Sequence, residues 1–119
     1  MKLYLAGPMR GYLSHNFPAF IEGAKTLRAL GHEVWSPAEE ELRKGFDPET
    51  DDADAFLEYM LQDLPELLKC DGIVMLGGWE RSKGARLERH VAFEVGLLVF
   101  DYLADVPACG EVVSERGLK

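Results

Sequence analysis

Short apolar runs alternate along this chain with longer segments whose apolar residues recur every three or four positions. Lys2 to Ala6 is a continuous run ended by Gly7-Pro8, the signature of a buried first strand. A loop with two glycines and a proline follows to His15. Asn16 then stands where a helix N-cap belongs, with Pro18 in the first turn, and Phe17, Phe20, Ile21, Ala24, Leu27 and Leu30 follow at helical spacing up to Gly31. His32 to Trp35 reads as a second strand, stopped by Ser36-Pro37. Ala38 to Asp52 is polar and acidic, with a short helix around Glu39 to Lys44. Ala53 to Lys69 is helical by pattern, with Phe56, Leu57, Met60, Leu61, Leu64, Leu67 and Leu68 on its apolar side. Pro65 interrupts it: either a new helix starts near Asp63-Leu64 or one helix kinks. Gly72 to Leu76 is apolar throughout, as a central parallel strand is. A loop from Gly77 to Lys83 leads to a helix over Gly84 to Gly96, with Ala85, Leu87, Val91, Ala92 and Val95 inside. Leu98 to Phe100 is a fourth strand, and Glu111 to Val113 offers an edge strand.

Strands alternating with helices predict an α/β, three-layer sandwich. Its parallel sheet has four to five strands with helices on both faces, Rossmann- or flavodoxin-like, in a single domain over residues 1–119. Ligands of such sheets sit at the carboxyl ends of the strands. Here those ends carry the loops Gly7–Asn16, Ser36–Asp52, Gly77–Gly84 and the segment after Phe100, so chemistry is sought there.

Charge narrows the class of partner. The formal net charge is -8, which argues against a nonspecific nucleic-acid binder. A small anion remains compatible, because a few backbone N–H groups and one arginine suffice to hold it. Cys70 and Cys109 have neither zinc-ligand nor disulfide-framework spacing and read as free thiols of a reducing compartment. No run reaches the ~18 apolar residues of a membrane span, and the first apolar stretch is too short for a signal peptide. The expectation is a cytoplasmic protein.

Few residues are placed to do chemistry. The first loop, Gly7-Pro8-Met9-Arg10-Gly11, has glycines that let a backbone approach a ligand and an arginine for an anion, but neither Walker nor GxGxxG spacing. It is also compatible with a plain turn. Ser82, at the start of a helix headed by Gly84, is a cap or a phosphate contact. Glu88 lies about one turn into that helix among apolar neighbours. It is either a functional carboxylate or a surface residue paired with Arg89, Lys83 or Arg86. Asp63 is either an N-cap before Pro65 or the second carboxyl of an acid/base pair, in which mutual repulsion lifts one pKa. Tyr4 is a core aromatic or a pocket hydroxyl. His15, His32 and His90 share no spacing and read as bystanders. The acidic run Asp47 to Asp54 lacks EF-hand spacing.

These segments together resemble the nucleoside 2-deoxyribosyltransferase superfamily, most closely its DUF4406-like branch. They are also similar to the deoxynucleoside 5'-monophosphate N-glycosidases. The resemblance runs from Lys2 to about Tyr102. It rests on Tyr4-Leu5-Ala6-Gly7-Pro8-Met9-Arg10-Gly11, on Leu30 to Pro37, and on Asp63-Leu64 with Cys70 to Leu76. It rests finally on Ser82-Lys83-Gly84-Ala85-Arg86-Leu87-Glu88 with Ala92 and Gly96. The last motif corresponds to the family's Gly-x-x-x-Glu, which places the nucleophile at Glu88. Glu94, six residues further on, lies about 9 Å down the helix axis. Arg89 and His90 depart from the family pattern, with consequences for pocket width or a subunit contact.

The resemblance implies that Glu88 attacks C1' of the sugar and that Asp63, or its proton network, protonates the leaving base. Tyr4 orients Glu88. A covalent glutamyl-sugar intermediate then passes to water or to a second base. Gly7, Pro8, Met9, Arg10, Gly11, Ser82 and Gly84 would hold the substrate, with Arg10 and Ser82 on a 5'-phosphate. No metal or cofactor is implied. The partner is a small-molecule nucleoside or nucleotide, neither nucleic acid nor membrane, and the protein is a homo-oligomer, a dimer, with Trp79 and Phe93 as interface or core aromatics. The alternative is a non-catalytic nucleotide-binding protein, or a phage–host interaction protein that acts through its acidic run.

Overall fold

A computed structural model describes residues 1–48 and 56–110. The strands are β1 (Lys2–Ala6), β2 (Glu33–Trp35), β3 (Gly72–Met75) and β4 (Leu98–Phe100). The helices are α1 (Phe17–Ala29), α2 (Pro37–Arg43), α3 (Phe56–Leu67) and α4 (Lys83–Glu94). All strand pairs are parallel, in the order β2-β1-β3-β4, with Tyr4 paired to Trp35 on one side and to Ile73 on the other. This is the flavodoxin-like order, whose ligand crevice opens at the β1/β3 switch point. The edge strand expected at Glu111–Val113 lies outside the described residues, as do the start of the third helix and most of the acidic run.

Strand alternation divides the core into two layers. Leu3 and Leu5 of β1, with Val74, point to one face, where Phe17, Phe20, Ala24 and Leu27 of α1 cover them. Tyr4 and Ala6, with Ile73 and Met75, point to the other, against Leu67 of α3 and Ala85 and Ala92 of α4. Helices therefore cover both faces. The third helix of the sequence reading is continuous across Pro65. A proline there removes one N–H bond, to the carbonyl of Leu61, and Leu61 sits on the solvent side. Asp63 is therefore mid-helix and is not an N-cap.

Several local expectations change. Asn16 stands before α1 but caps nothing: its backbone is left-handed, and its side chain donates instead to the Pro8 carbonyl at 2.9 Å, pinning the first loop. Ser14, His15 and Asn16 all have positive φ, a left-handed turn that L-residues adopt at a cost. Ile21 of α1 is exposed, as are Leu57 and Leu61 of α3, Leu68 just beyond its end, Leu87 of α4 and Val95 just beyond its end, although the pattern set them inside. Gly7 is required by packing: a Cβ there would lie 2.8 Å from Leu76 Cβ, so only glycine lets the first loop cross the end of β3.

Candidate functional site

The pocket sits where the β1/β3 switch point predicts, at the carboxyl ends of the strands, with a volume of about 370 Å³. Its walls come from the first loop, α2, α3 and the head of α4. At its floor is Glu88, only 5% exposed. Burial follows from position: Ala85, Glu88 and Ala92 recur at helical spacing on the face of α4 that packs against the sheet. The surface-pair alternative therefore fails. Arg89 instead holds Asp101 through two hydrogen bonds, at 2.7 and 3.0 Å, and Lys83 lies over the Phe56 ring.

Tyr4 lies behind Glu88. Its ring is fully buried and stacks on Trp35, its partner in register on β2, with centroids 5.3 Å apart. Its hydroxyl donates to Glu88 Oε2, fixing the rotamer of the carboxyl. Asp63, 4% exposed, lines the same pocket from α3. Three residues spread over 84 positions of sequence are thus brought together by one strand and two helices.

Electrostatics sets these groups apart from surface carboxyls. Desolvation pushes Glu88 up to about 8; the Tyr4 hydrogen bond opposes the rise and the charge of Asp63 adds to it. Burial likewise lifts Asp63 to about 6, against a hydrogen bond from Gln62. Tyr4 is held well above its ordinary value by burial and then by Glu88 and Asp63. Between roughly pH 6 and 8 the two carboxyls hold one proton between them, and it rests mainly on Glu88, the group with the higher value.

Of the other predicted site residues, Gly7, Pro8, Met9, Arg10, Ser82 and Gly84 line the pocket. Gly11 does not: it is exposed, at φ 82°, and turns the loop. Ser82 caps α4, its Oγ accepting from the Ala85 amide at 3.2 Å, and stands at the pocket wall as it does so. Arg89 and His90 lie off the pocket, so they do not narrow it. Trp79 is partly buried, packed on the second core layer with the Arg89 guanidinium over its ring, whereas Phe93 is exposed. The histidines do not line the pocket, although His15 packs edge-on against Phe46, which does. His32 is buried with its ring between the N-terminal amine and the Pro107 carbonyl.

Sequence reasoning missed a second group. Glu41 is buried on α2 and lines the pocket. Gln62 joins it to Asp63, donating to Glu41 Oε2 at 3.0 Å and to Asp63 Oδ1 at 2.9 Å, while its carbonyl accepts from Lys44. The available signal was the spacing Pro37, Ala38, Glu41, which puts one glutamate on the inner face of a helix otherwise read as solvated. Arg81, Tyr12 and Lys83 also reach the pocket. Arg81 donates to the Tyr12 hydroxyl at 3.3 Å.

A family model described as "Domain of unknown function (DUF4406)" matches residues 1–101. No curated protein matches the chain. Among solved structures, the chain is similar to the 2-deoxyribosyltransferase of the psychrotolerant bacterium Bacillus psychrosaccharolyticus. The TM-score is 0.60 at 21% identity, over 98% of this chain and 80% of that one. At that identity the likeness is one of fold.

Proposed function

This chain belongs to the DUF4406 family, and from its site we propose that it cleaves the N-glycosidic bond of a nucleoside or (2'-deoxy)nucleoside 5'-monophosphate, with Glu88 as nucleophile. The observation that carries this reading is a buried carboxyl at the pocket floor, aimed by Tyr4 and paired with a second carboxyl, Asp63. The solved structure of the same fold is a 2-deoxyribosyltransferase, which supports the same class of chemistry.

The proton that rests on Glu88 in the free pocket passes first to Asp63, and the Glu88 carboxylate then bonds to C1' as the C1'–N bond breaks, the bond's electron pair leaving with the base. Asp63 delivers its proton to the departing nitrogen. The Tyr4 hydroxyl keeps one carboxylate oxygen directed while the sugar carries oxocarbenium character. In the second step water adds its oxygen to C1', Glu88 leaves as carboxylate, and Asp63 takes the water proton. A second base in place of water gives transfer. Arg10, Ser82 and the α4 N-terminus suit a 5'-phosphate, since helix N–H groups and a guanidinium bind anions together. Gly84 and Glu88 are about 6 Å apart along the axis at 1.5 Å per residue, a span that fits 5'-phosphate to C1'.

The proposal includes self-association as a dimer. Leu57, Leu61 and Leu68 form an exposed apolar stripe on α3, the kind of face a second copy covers; light scattering on the eluting protein tests it. Among the described residues no helix is long and apolar enough to cross a membrane. The free thiols of Cys70 and Cys109 fit the cytoplasm.

The test is incubation with a panel of nucleosides and 5'-monophosphates, following free base. Base release or exchange that is abolished in Glu88→Gln supports the reading. No release and no exchange with any substrate rejects it, and ligand-induced stabilisation without product would then favour a binding protein.

A further inference from the structure

We propose that Glu41 reads the base, making the protein prefer bases that present an amino group, cytosine and adenine, over their keto counterparts uracil and hypoxanthine. The inference rests on the glycosidic reading above and adds the substrate class.

The pocket is polarised. Of the lining residues, Lys83 opens α4 and Arg81 just before it holds Tyr12 of the first loop, which also carries Arg10, whereas Glu41 and Asp63 are joined through Gln62 into a separate acidic group. Glu88 stands further along α4 than Lys83, on its buried face, and lies near enough to Asp63 to feel its charge, which sets it between the two groups. A nucleotide with its sugar at Glu88 and its phosphate at the cationic end presents its base to the acidic end. Phe46 and Tyr59 also line the pocket, and flat aromatic faces suit a base, whereas the Phe56 ring lies under Lys83.

Gln62 decides what that acidic end offers. Its amide nitrogen faces two carboxylate oxygens and its carbonyl faces the Lys44 ammonium. The flipped amide would set oxygen against both carboxylates and N–H groups against an ammonium, so the orientation is fixed by charge. Gln62 therefore spends its donors on Glu41 and Asp63. Glu41 Oε2 faces the Gln62 amide and, at 3.4 Å, the Lys44 ammonium; its carboxylate only accepts and is the polar group of the α2 wall. A base amino group meets it as a donor. A keto oxygen in the same place meets it as a second acceptor, which removes a hydrogen bond to a charged group and leaves both oxygens poorly solvated.

The experiment compares kcat/KM for wild-type protein on two matched pairs, dCMP with dUMP and dAMP with dIMP. The amino member is expected to lead in each pair by about 10- to 100-fold, the range for one hydrogen bond to a charged group. Glu41→Gln, whose amide can donate, is expected to bring the ratio within about threefold of unity or invert it. A melting curve checks that the variant is folded, and the wild-type pairs test the idea without it. Equal rates within each pair, or a preference that survives Glu41→Gln, overturns the assignment while leaving glycosidic cleavage standing. Absence of both base release and base exchange with all four nucleotides overturns the assignment, and glycosidic cleavage is then decided separately by the nucleoside panel above.

Discussion

Replacing Glu88 by glutamine should abolish turnover and at the same time stabilise the fold in a pH-dependent way. Glu88 rises from 4.5 in the unfolded chain to about 8 in the pocket because burial disfavours its charge. Between those values the unfolded chain gives up its proton and the folded protein keeps it, so stability falls as pH rises. The full penalty is about 5 kcal/mol at 1.36 kcal/mol per pKa unit. It is about 1 kcal/mol at pH 5 and about 4 kcal/mol at pH 8 by the same linkage relation. Glutamine has no such dependence. Its amide oxygen can still accept from the Tyr4 hydroxyl, as the protonated carboxyl does over most of this range. The stability of Glu88→Gln relative to wild type should therefore grow by roughly 3 kcal/mol from pH 5 to pH 8. Urea titrations at the two pH values and a single protein concentration measure it, with the exposed Glu94→Gln on the same helix as control. A difference constant to within about 1 kcal/mol would show that Glu88 ionises as an ordinary surface carboxyl, and the buried-nucleophile argument would fall.

The profile of kcat/KM should be a bell with limbs near pH 6 and 8. Below the lower limb both carboxyls are protonated and no nucleophile remains; above the upper one both are ionised and no acid remains. Tyr4→Phe keeps the ring stack on Trp35 but removes the hydroxyl that lowers the Glu88 pKa. It should reduce kcat and move the alkaline limb upward, which the same profile reads. Arg10→Ala should raise KM for 5'-monophosphates about tenfold and leave free nucleosides unaffected, as one charge-assisted contact implies. Gly7→Ala should destabilise the protein by about 1–3 kcal/mol in urea titration, because its Cβ would press on Leu76.

Periodicity carried most of the architecture. The four strands and the parallel order follow from short apolar runs separated by helical stretches, and the strand ends told where the pocket lies. Patterning failed where a helix has two apolar faces. Leu57, Leu61 and Leu68 are indistinguishable in sequence from Met60 and Leu67, yet only the latter pair is buried. Pro65 was ambiguous because proline's effect depends on whether it falls on the solvent side of the helix, where the exposed Leu61 one turn earlier places it. Asn16 has a capping residue's identity, but its left-handed backbone turns the side chain to Pro8 instead.

The site shows the same division. Tyr4, Asp63 and Glu88 each had an ordinary structural explanation in isolation. What singles them out is a meeting of β1, α3 and α4 that local pattern cannot express, and the family resemblance supplied it. Glu41 escaped because a glutamate in an acidic helix reads as solvated; only the packing of α2 shows that it faces inward. Gln62 escaped because its role lies in three partners from two helices.

Intact-protein mass spectrometry after incubation with 2'-deoxynucleoside 5'-monophosphates and their nucleosides tests the central claim most directly. An adduct of the sugar's mass, mapped by peptide digestion to Glu88 and absent from Glu88→Ala, is the predicted result. Turnover accompanied by an adduct on another residue, or an adduct that persists in Glu88→Ala, would contradict it.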